Sequence, residues 1–192
     1  MRISVTKYQE FSDEKLMVAL QQGEKGAFDE IYRRYADRLY GYFFKMLWYN
    51  EIRAQDLLQD LFTKVITKHH YYDASRSFKT WIFSVAANMC KNEFKRNEIR
   101  KNTKTGIDHL YYVSSDANLE KVIHEKQFKD ALLGALDEMD EKHREVFMLK
   151  HMDGLSIKEI SEIMEIQEGT VKSRLFYAIK RLANQLKVFE NV

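Results

Sequence analysis

The sequence predicts an all-α fold in which two small helical domains are joined by a flexible linker and the C-terminal one is a helix-turn-helix. Three observations carry this expectation. Proline is absent and only 7 of the 192 residues are glycine, so little interrupts a helix. Apolar residues recur at three- and four-residue spacing along most of the chain. That spacing lapses between Asn102 and Asn118, where Thr, Ser, Asp and Asn gather around Gly106.

From the N-terminus, Phe28, Ile31, Tyr35, Leu39, Tyr42 and Met46 mark a helix over Phe28–Leu47. A second runs over Arg53–Lys68, with Leu57, Leu58, Leu61, Phe62, Val65 and Ile66 expected on one buried face. The stretch His69-His70-Tyr71-Tyr72-Asp73-Ala74-Ser75 reads as a loop. Helical spacing resumes with Phe78, Trp81, Ile82, Val85, Met89 and Phe94, and Phe78 and Trp81 are expected in the core. A first domain over 1–100 follows, then a linker over 101–118 in which Leu110-Tyr111-Tyr112-Val113 can form a short extended piece. The second domain, 119–192, begins with a helix over Leu119–Met139 and another over Glu141–Met152.

The strongest local signal lies near the C-terminus. Ser156-Ile157-Lys158-Glu159 is a capping box, in which Ser156 and Glu159 satisfy each other's orphan amide groups at a helix start. The short helix it opens carries Ile160, Ile163 and Met164. A second helix begins near Glu168, with Val171, Leu175, Ala178, Ile179 and Leu182 expected inward. Thr170, Lys172, Ser173, Phe176, Tyr177 and Lys180 then point outward, where they reach phosphates and base edges. Two short helices with a tight turn, over about 156–175, make a helix-turn-helix. A plain helical hairpin would not need that outward charge.

Composition limits what such a protein does. With 45% hydrophobic and 31% charged residues the chain is a folded protein rather than a disordered one. The start, MRISVTKYQEF, lacks the apolar core of a signal peptide, and no apolar run is long enough to span a bilayer. The one cysteine, Cys90, suits a reducing compartment, so a cytoplasmic protein is expected. The histidines are scattered and no metal-ligand spacing or catalytic constellation stands out, so neither an enzyme nor a cofactor is expected. Net charge is +2, but cations gather at Lys91, Lys95, Arg96, Arg100, Lys101 and Lys104 and again at Lys172, Arg174, Lys180, Arg181 and Lys187. No acid falls between Gly169 and Lys187. Two separate basic stretches point to two polyanion contacts.

At Glu159 to Leu175, EISEIMEIQEGTVKSRL resembles the promoter-reading helix-turn-helix of the sigma factor family, with GTVKSRL closest to its recognition helix. LDEMDEKHREVFMLKHMDGLS resembles the segment leading into that motif. GAFDEIYRRYADRLYGYFFKML, AQDLLQDLF and SFKTWIFSVAANMCKNEFKR resemble, in order, the family's first long helix, its polymerase-binding helix and the helix that handles melted promoter. These five segments, in the family's order, identify the chain as resembling a short, extracytoplasmic-function sigma factor. There are departures. Met139-Asp140 stand where a proline is usual, Ser161 replaces an alanine, Gln167 a Ser or Pro, Gln55 a glutamate and Asn92 an aspartate. The last change bears on any promoter preference copied from relatives.

The resemblance implies core RNA polymerase and promoter DNA, duplex and melted, as partners, and an anti-sigma factor as a regulator. Asp56, Gln59 and Asp60 share one helical turn, and by resemblance their face, with Phe62 at its boundary, docks on the polymerase. For the melted strand, Tyr71 and Tyr72 are candidates evenly divided between stacking and loop packing, Lys79, Lys91, Lys95 and Arg96 are candidates for phosphates, and Asn88 and Asn92 for the edge of a flipped base. For duplex DNA the candidates are Glu168, Gly169, Thr170, Lys172, Ser173, Arg174, Phe176, Tyr177 and Lys180. An ordinary helix-turn-helix regulator acting without polymerase explains the C-terminus but leaves Gln55 to Phe62 unexplained. A helical adaptor for proteins alone leaves the outward charge after Gly169 unexplained.

Overall fold

In the computed structural model the described residues are 5–101, 127–128, 131–136, 138–151 and 153–187, and their regular structure is helical. They divide into two compact units, one built on residues before 107 and the other on residues from 107 on, with Glu162–Glu165 grouped with the first. The expected linker and the extended piece at Leu110–Val113 fall outside the described residues, as does the beginning of the helix expected over Leu119–Met139.

The first unit opens with two helices that apolar periodicity did not single out, α1 (Val5–Gln9) and α2 (Asp13–Gln21). Ser12 caps α2 by accepting from the Lys15 amide, and Asp13 and Glu14 favour the positive helix start. The long α3 (Lys25–Met46) is the centre of this unit, with α1, α2, α4 (Glu51–Lys68) and α5 (Phe78–Lys101) packed against it. Of the expected stripe, Ile31, Tyr35, Leu39, Tyr42 and Met46 are buried and Phe28 is half-buried, and Phe43 joins the buried face. Edge-to-face contacts of Tyr35 with Phe78 and of Tyr42 with Phe83 join it to α5. Trp48 and Tyr49 both take positive φ after α3, turning the chain before Asn50 caps α4.

A cationic latch holds the N-terminal segment. Arg34 donates to Asp13 and Glu30 at 2.7 Å and to the carbonyls of Phe11 and Gln9 at 2.9 Å. Tyr35 donates its hydroxyl to Asp13. Glu30 is buried beneath this latch, and hydrogen bonds from Arg33 and then Arg34 hold its carboxyl down at about 2.

In the second unit, residues 131–136 are helical with Leu136 buried, and α6 (Glu141–His151) follows. The capping box forms as expected: the Ser156 amide donates to Glu159 at 2.7 Å, and the Glu159 amide donates to the Ser156 hydroxyl at 3.1 Å. It starts α7 (Ile157–Met164), after which Glu165, at φ 56°, turns the chain into α8 (Glu168–Leu186). α6 packs on α8, and Val146, Leu149, Leu155, Ile160, Val171, Ala178 and Leu182 are buried.

Five expected core positions differ. Ile66 and Ile179 are exposed, and Leu58, Trp81 and Leu175 are only half-buried. Each lies at the border of its helix's apolar stripe, where a small rotation of the helix carries a side chain out of the core.

Candidate nucleic-acid interface

On α8 the buried residues Val171, Ala178 and Leu182 line one face. The remaining turns leave Lys172, Ser173, Phe176 and Lys180 exposed, and these recur at helical spacing on the opposite face. Phe176 is 62% exposed, a large apolar ring held in water by a helix that has a core to place it in. Glu168, Gly169 and Tyr177 are exposed too, while Thr170 and Arg174 are half-buried. Tyr177 stands edge-on to Phe176 and reaches the His143 ring of α6 at 6.3 Å, which puts it at the margin of the outward face. The outward face is basic, with short polar groups at its N-terminal half, a pattern suited to a major groove.

The first unit offers a different surface. On α5, Asn88, Asn92 and Lys95 are exposed at i, i+4 and i+7, one stripe opposite Phe78, Ile82, Phe83, Ala86, Met89 and Cys90. Half-buried Trp81 lies one heptad before Asn88 on the same side, and its partial exposure was not foreseen from spacing. Lys79 and Lys91 are half-buried. Arg96 is exposed, yet it donates to Glu93 at 2.8 Å, so part of its charge is already matched.

Before α5, a short 3-10 turn (His69–Tyr71) enters the loop. Here the two tyrosines part. Tyr71 is 75% exposed, with the His70 ring 4.2 Å away. Tyr72 is buried, edge-on to Phe78 and Trp81, and donates its hydroxyl to the Arg76 carbonyl. Burial, with the nearby charges of Glu14, Asp73 and Asp13, pushes that hydroxyl up to about 12. Of the two roles the sequence leaves open for Tyr72, the structure shows loop packing. Tyr71 is the ring that faces solvent.

On α4, Asp56, Gln59 and Asp60 are exposed together, as their spacing predicts. Phe62 is not at the boundary; it is 4% exposed, packed 4.6 Å from Tyr32 and 5.9 Å from Phe28. The surface ring here is Tyr32, 46% exposed, which lies on α3 and which no motif marked. Its signal in the sequence is faint: Tyr32 lies four residues, one turn, after Phe28, the first residue of the α3 stripe.

Residues 31–100 match the model of sigma-70 region 2, and residues 129–182 match that of sigma-70 region 4. The ECF RNA polymerase sigma factor SigM of Bacillus subtilis is 32% identical over 154 residues, covering 80% of this chain and 91% of SigM. The chain belongs to the ECF sigma factors of RNA polymerase.

As a sigma factor it binds core RNA polymerase and directs promoter-specific initiation, and the region 2 match sets aside a helix-turn-helix regulator acting alone. SigW of Bacillus subtilis is 26% identical, over 90% of this chain and 96% of SigW. Among solved structures, CnrH in complex with the cytosolic domain of CnrY shares the fold with a TM-score of 0.68 at 20% identity, covering 92% of this chain and 97% of that one. RpoE in complex with the anti-sigma factor NepR from Bartonella quintana gives 0.69 at 21%, covering 84% and 97%. Among the described residues of this sigma factor no helix is long and apolar enough to cross a membrane, and no His, Cys, Asp and Glu cluster has the geometry of a metal site.

Proposed function

We propose that the sigma factor divides initiation between its units: a domain over 1–100 holds the polymerase and captures the melted strand, and a domain over 119–192 reads the upstream duplex. The observation that carries this reading is the difference between the two surfaces. α8 sets Lys172, Ser173, Phe176 and Lys180 on a convex helix face suited to a major groove, while α5 and its loop offer amides, a lysine and an exposed aromatic ring. Asp56, Gln59 and Asp60 dock on the polymerase helix to helix, with Tyr32 rather than Phe62 giving the apolar contact at their edge. Asn88 and Asn92 read a flipped base, Tyr71 stacks, and Lys79, Lys91, Lys95 and Arg96 track the backbone. None of these roles is catalytic; the chain acts as a binding factor in the cytoplasm. Because RpoE is seen with an anti-sigma factor, and CnrH with the cytosolic domain of CnrY, a protein regulator of this chain is part of the reading.

The test is run-off transcription with core polymerase, followed by permanganate footprinting of unpaired thymines. Tyr71→Ala together with Asn92→Ala is expected to lower opening of a duplex promoter. A template already opened by mismatches avoids the unstacking cost of roughly a few kcal/mol and is expected to recover part of the activity. Duplex opening at the wild-type level in the double variant overturns the loop assignment.

A further inference from the structure

The loop that presents Tyr71 is held from behind by one helix that no motif marks. Gln21, the last residue of α2, uses its side-chain amide twice, donating to the His69 carbonyl at 2.8 Å and the Tyr72 carbonyl at 3.0 Å. An amide nitrogen carries two donors, and both are engaged here. The two carbonyls bracket His70 and Tyr71, so the backbone on either side of the exposed ring is tied to one point. Glu14 on the same helix accepts from the Phe78 amide at 3.1 Å, the first residue of α5. That amide is one of the orphan donors of a helix start, and Ser77 supplies the neighbouring cap by accepting from the Thr80 amide.

Glu14 and Gln21 are seven residues apart, two turns of helix, so their side chains leave α2 on the same face about 10 Å apart. One grips the loop where it starts and the other where it ends. Between these grips the loop is braced by its own bonds, the Ser75 amide to Asp73 and the Tyr72 hydroxyl to Arg76. The Gln21 and Glu14 contacts span 48 to 64 residues of sequence. A loop anchored so far away in sequence is not set by its local turn chemistry alone.

We propose that Gln21 and Glu14 are positioning residues for strand capture: α2 fixes the loop so that Tyr71 and the Asn88–Asn92 stripe face the same unpaired bases. The proposal rests on the assignment of that loop to the melted strand. Preorganisation is what the bonds contribute, since a loop free to sample other shapes loses apparent affinity in proportion to its productive fraction.

The experiment uses the full chain with core polymerase and compares Gln21→Glu, Gln21→Ala, Glu14→Ala and Glu14→Gln. Gln21→Glu sets a carboxylate against two carbonyl oxygens and loses both donors. It is expected to cut open-complex yield on duplex promoter roughly fivefold or more. It is also expected to blunt discrimination between bases at the melted element, with polymerase binding unchanged. Glu14→Gln keeps an acceptor oxygen and is expected to behave as wild type, whereas Glu14→Ala and Gln21→Ala, which lose their loop contacts, are expected to lower open-complex yield and discrimination as Gln21→Glu does. Base discrimination separates positioning from mere loosening, and thermal midpoints of each variant are recorded beside it. Wild-type yield and discrimination in Gln21→Glu, with Tyr71→Ala plus Asn92→Ala impaired, overturns the positioning role and leaves the loop assignment standing. Lower yield that only tracks the thermal midpoint, with discrimination intact, overturns it as well. Wild-type opening in the Tyr71 and Asn92 double variant removes the loop assignment and the positioning role together.

Discussion

Arg53 of α4 donates to Glu93 of α5 at 2.8 Å, and this bond ties the helix assigned to polymerase docking to the helix assigned to the melted strand. Glu93 is buried and also accepts from Arg96 at 2.8 Å. Burial by itself would raise its pKa, but the Arg53 and Arg96 guanidiniums outweigh burial and hold the carboxyl below the ordinary range. Arg53→Met leaves that carboxylate with one partner instead of two. The expected cost is about 1–3 kcal/mol, measured by urea denaturation, since a buried acceptor that loses a charged donor is penalised on that scale. A midpoint and slope equal to wild type would show that the bridge does not fasten α4 to α5.

Acid should loosen the first unit. Glu30 sits near 2 in the folded chain, below its ordinary value of 4.5, because hydrogen bonds from Arg33 and Arg34 favour its charged form. Glu93 is shifted in the same direction. A depressed carboxylate gives stability that is fully present above its unfolded pKa and lost as pH falls from there toward the folded value. The window is therefore from about 4.5 down to about 2. Urea midpoints at stepped pH are expected to drop through that window in wild type and to drop less in Glu30→Gln. Equal slopes in the two proteins would rule Glu30 out as a source of acid sensitivity.

Helix periodicity made most of the fold legible, and the misreadings have a common physical cause. Spacing located the core of α3 and α5 because each buries one continuous stripe, but it cannot fix the edges of a stripe, which is why Ile66 and Ile179 were placed inward. Tyr71 and Tyr72 are adjacent and chemically alike, and the sequence has no means of deciding which one Phe78 and Trp81 cover. The capping box was readable because both of its partners are three residues apart, whereas Gln21 and Glu14 act on residues far along the chain. Tyr32 has only a faint signal for the same reason, since its ring partner Phe62 lies on another helix.

The capping box makes its own prediction. Ser156→Ala removes the hydroxyl that accepts from the Glu159 amide at 3.1 Å at the start of α7. Loss of such a cap costs about 0.5–2 kcal/mol of stability. Unfolding of the second unit, followed by hydrogen exchange of amides in α7, is expected to become easier while α3 amides keep their protection. Unchanged exchange in α7 would mean that the Ser156 hydroxyl does not hold the helix start.

Polymerase docking is tested most directly at Asp60, exposed on α4 with Asp56 and Gln59. Asp60→Arg reverses a charge on that face without touching the core. Affinity for core polymerase is expected to fall at least tenfold, or about 1.4 kcal/mol, with duplex DNA binding by the same chain unaltered. Wild-type polymerase affinity would move the docking site off this face.

The recognition helix permits a sharper test, because its outward residues differ in what they can recognise. Lys172 is an exposed point charge, and if it meets a phosphate the contact is blind to sequence. Lys172→Ala is expected to weaken every duplex alike and to reduce the slope of log affinity against log salt by about one unit, the loss of one phosphate contact. Ser173 and Phe176 carry no charge to match a phosphate, and Phe176 is too exposed to be holding the fold together. Their alanine variants are expected to leave the salt slope in place and to change which bases are preferred, at about 1–3 kcal/mol per lost specific contact. A salt slope that moves with Phe176→Ala, or a base preference that moves with Lys172→Ala, would mean that α8 sits in the groove rotated from the orientation its buried face implies. If all three variants bind with wild-type slope and preference, α8 is not the helix that enters the groove, because no other assignment of its exposed face leaves these three side chains away from DNA.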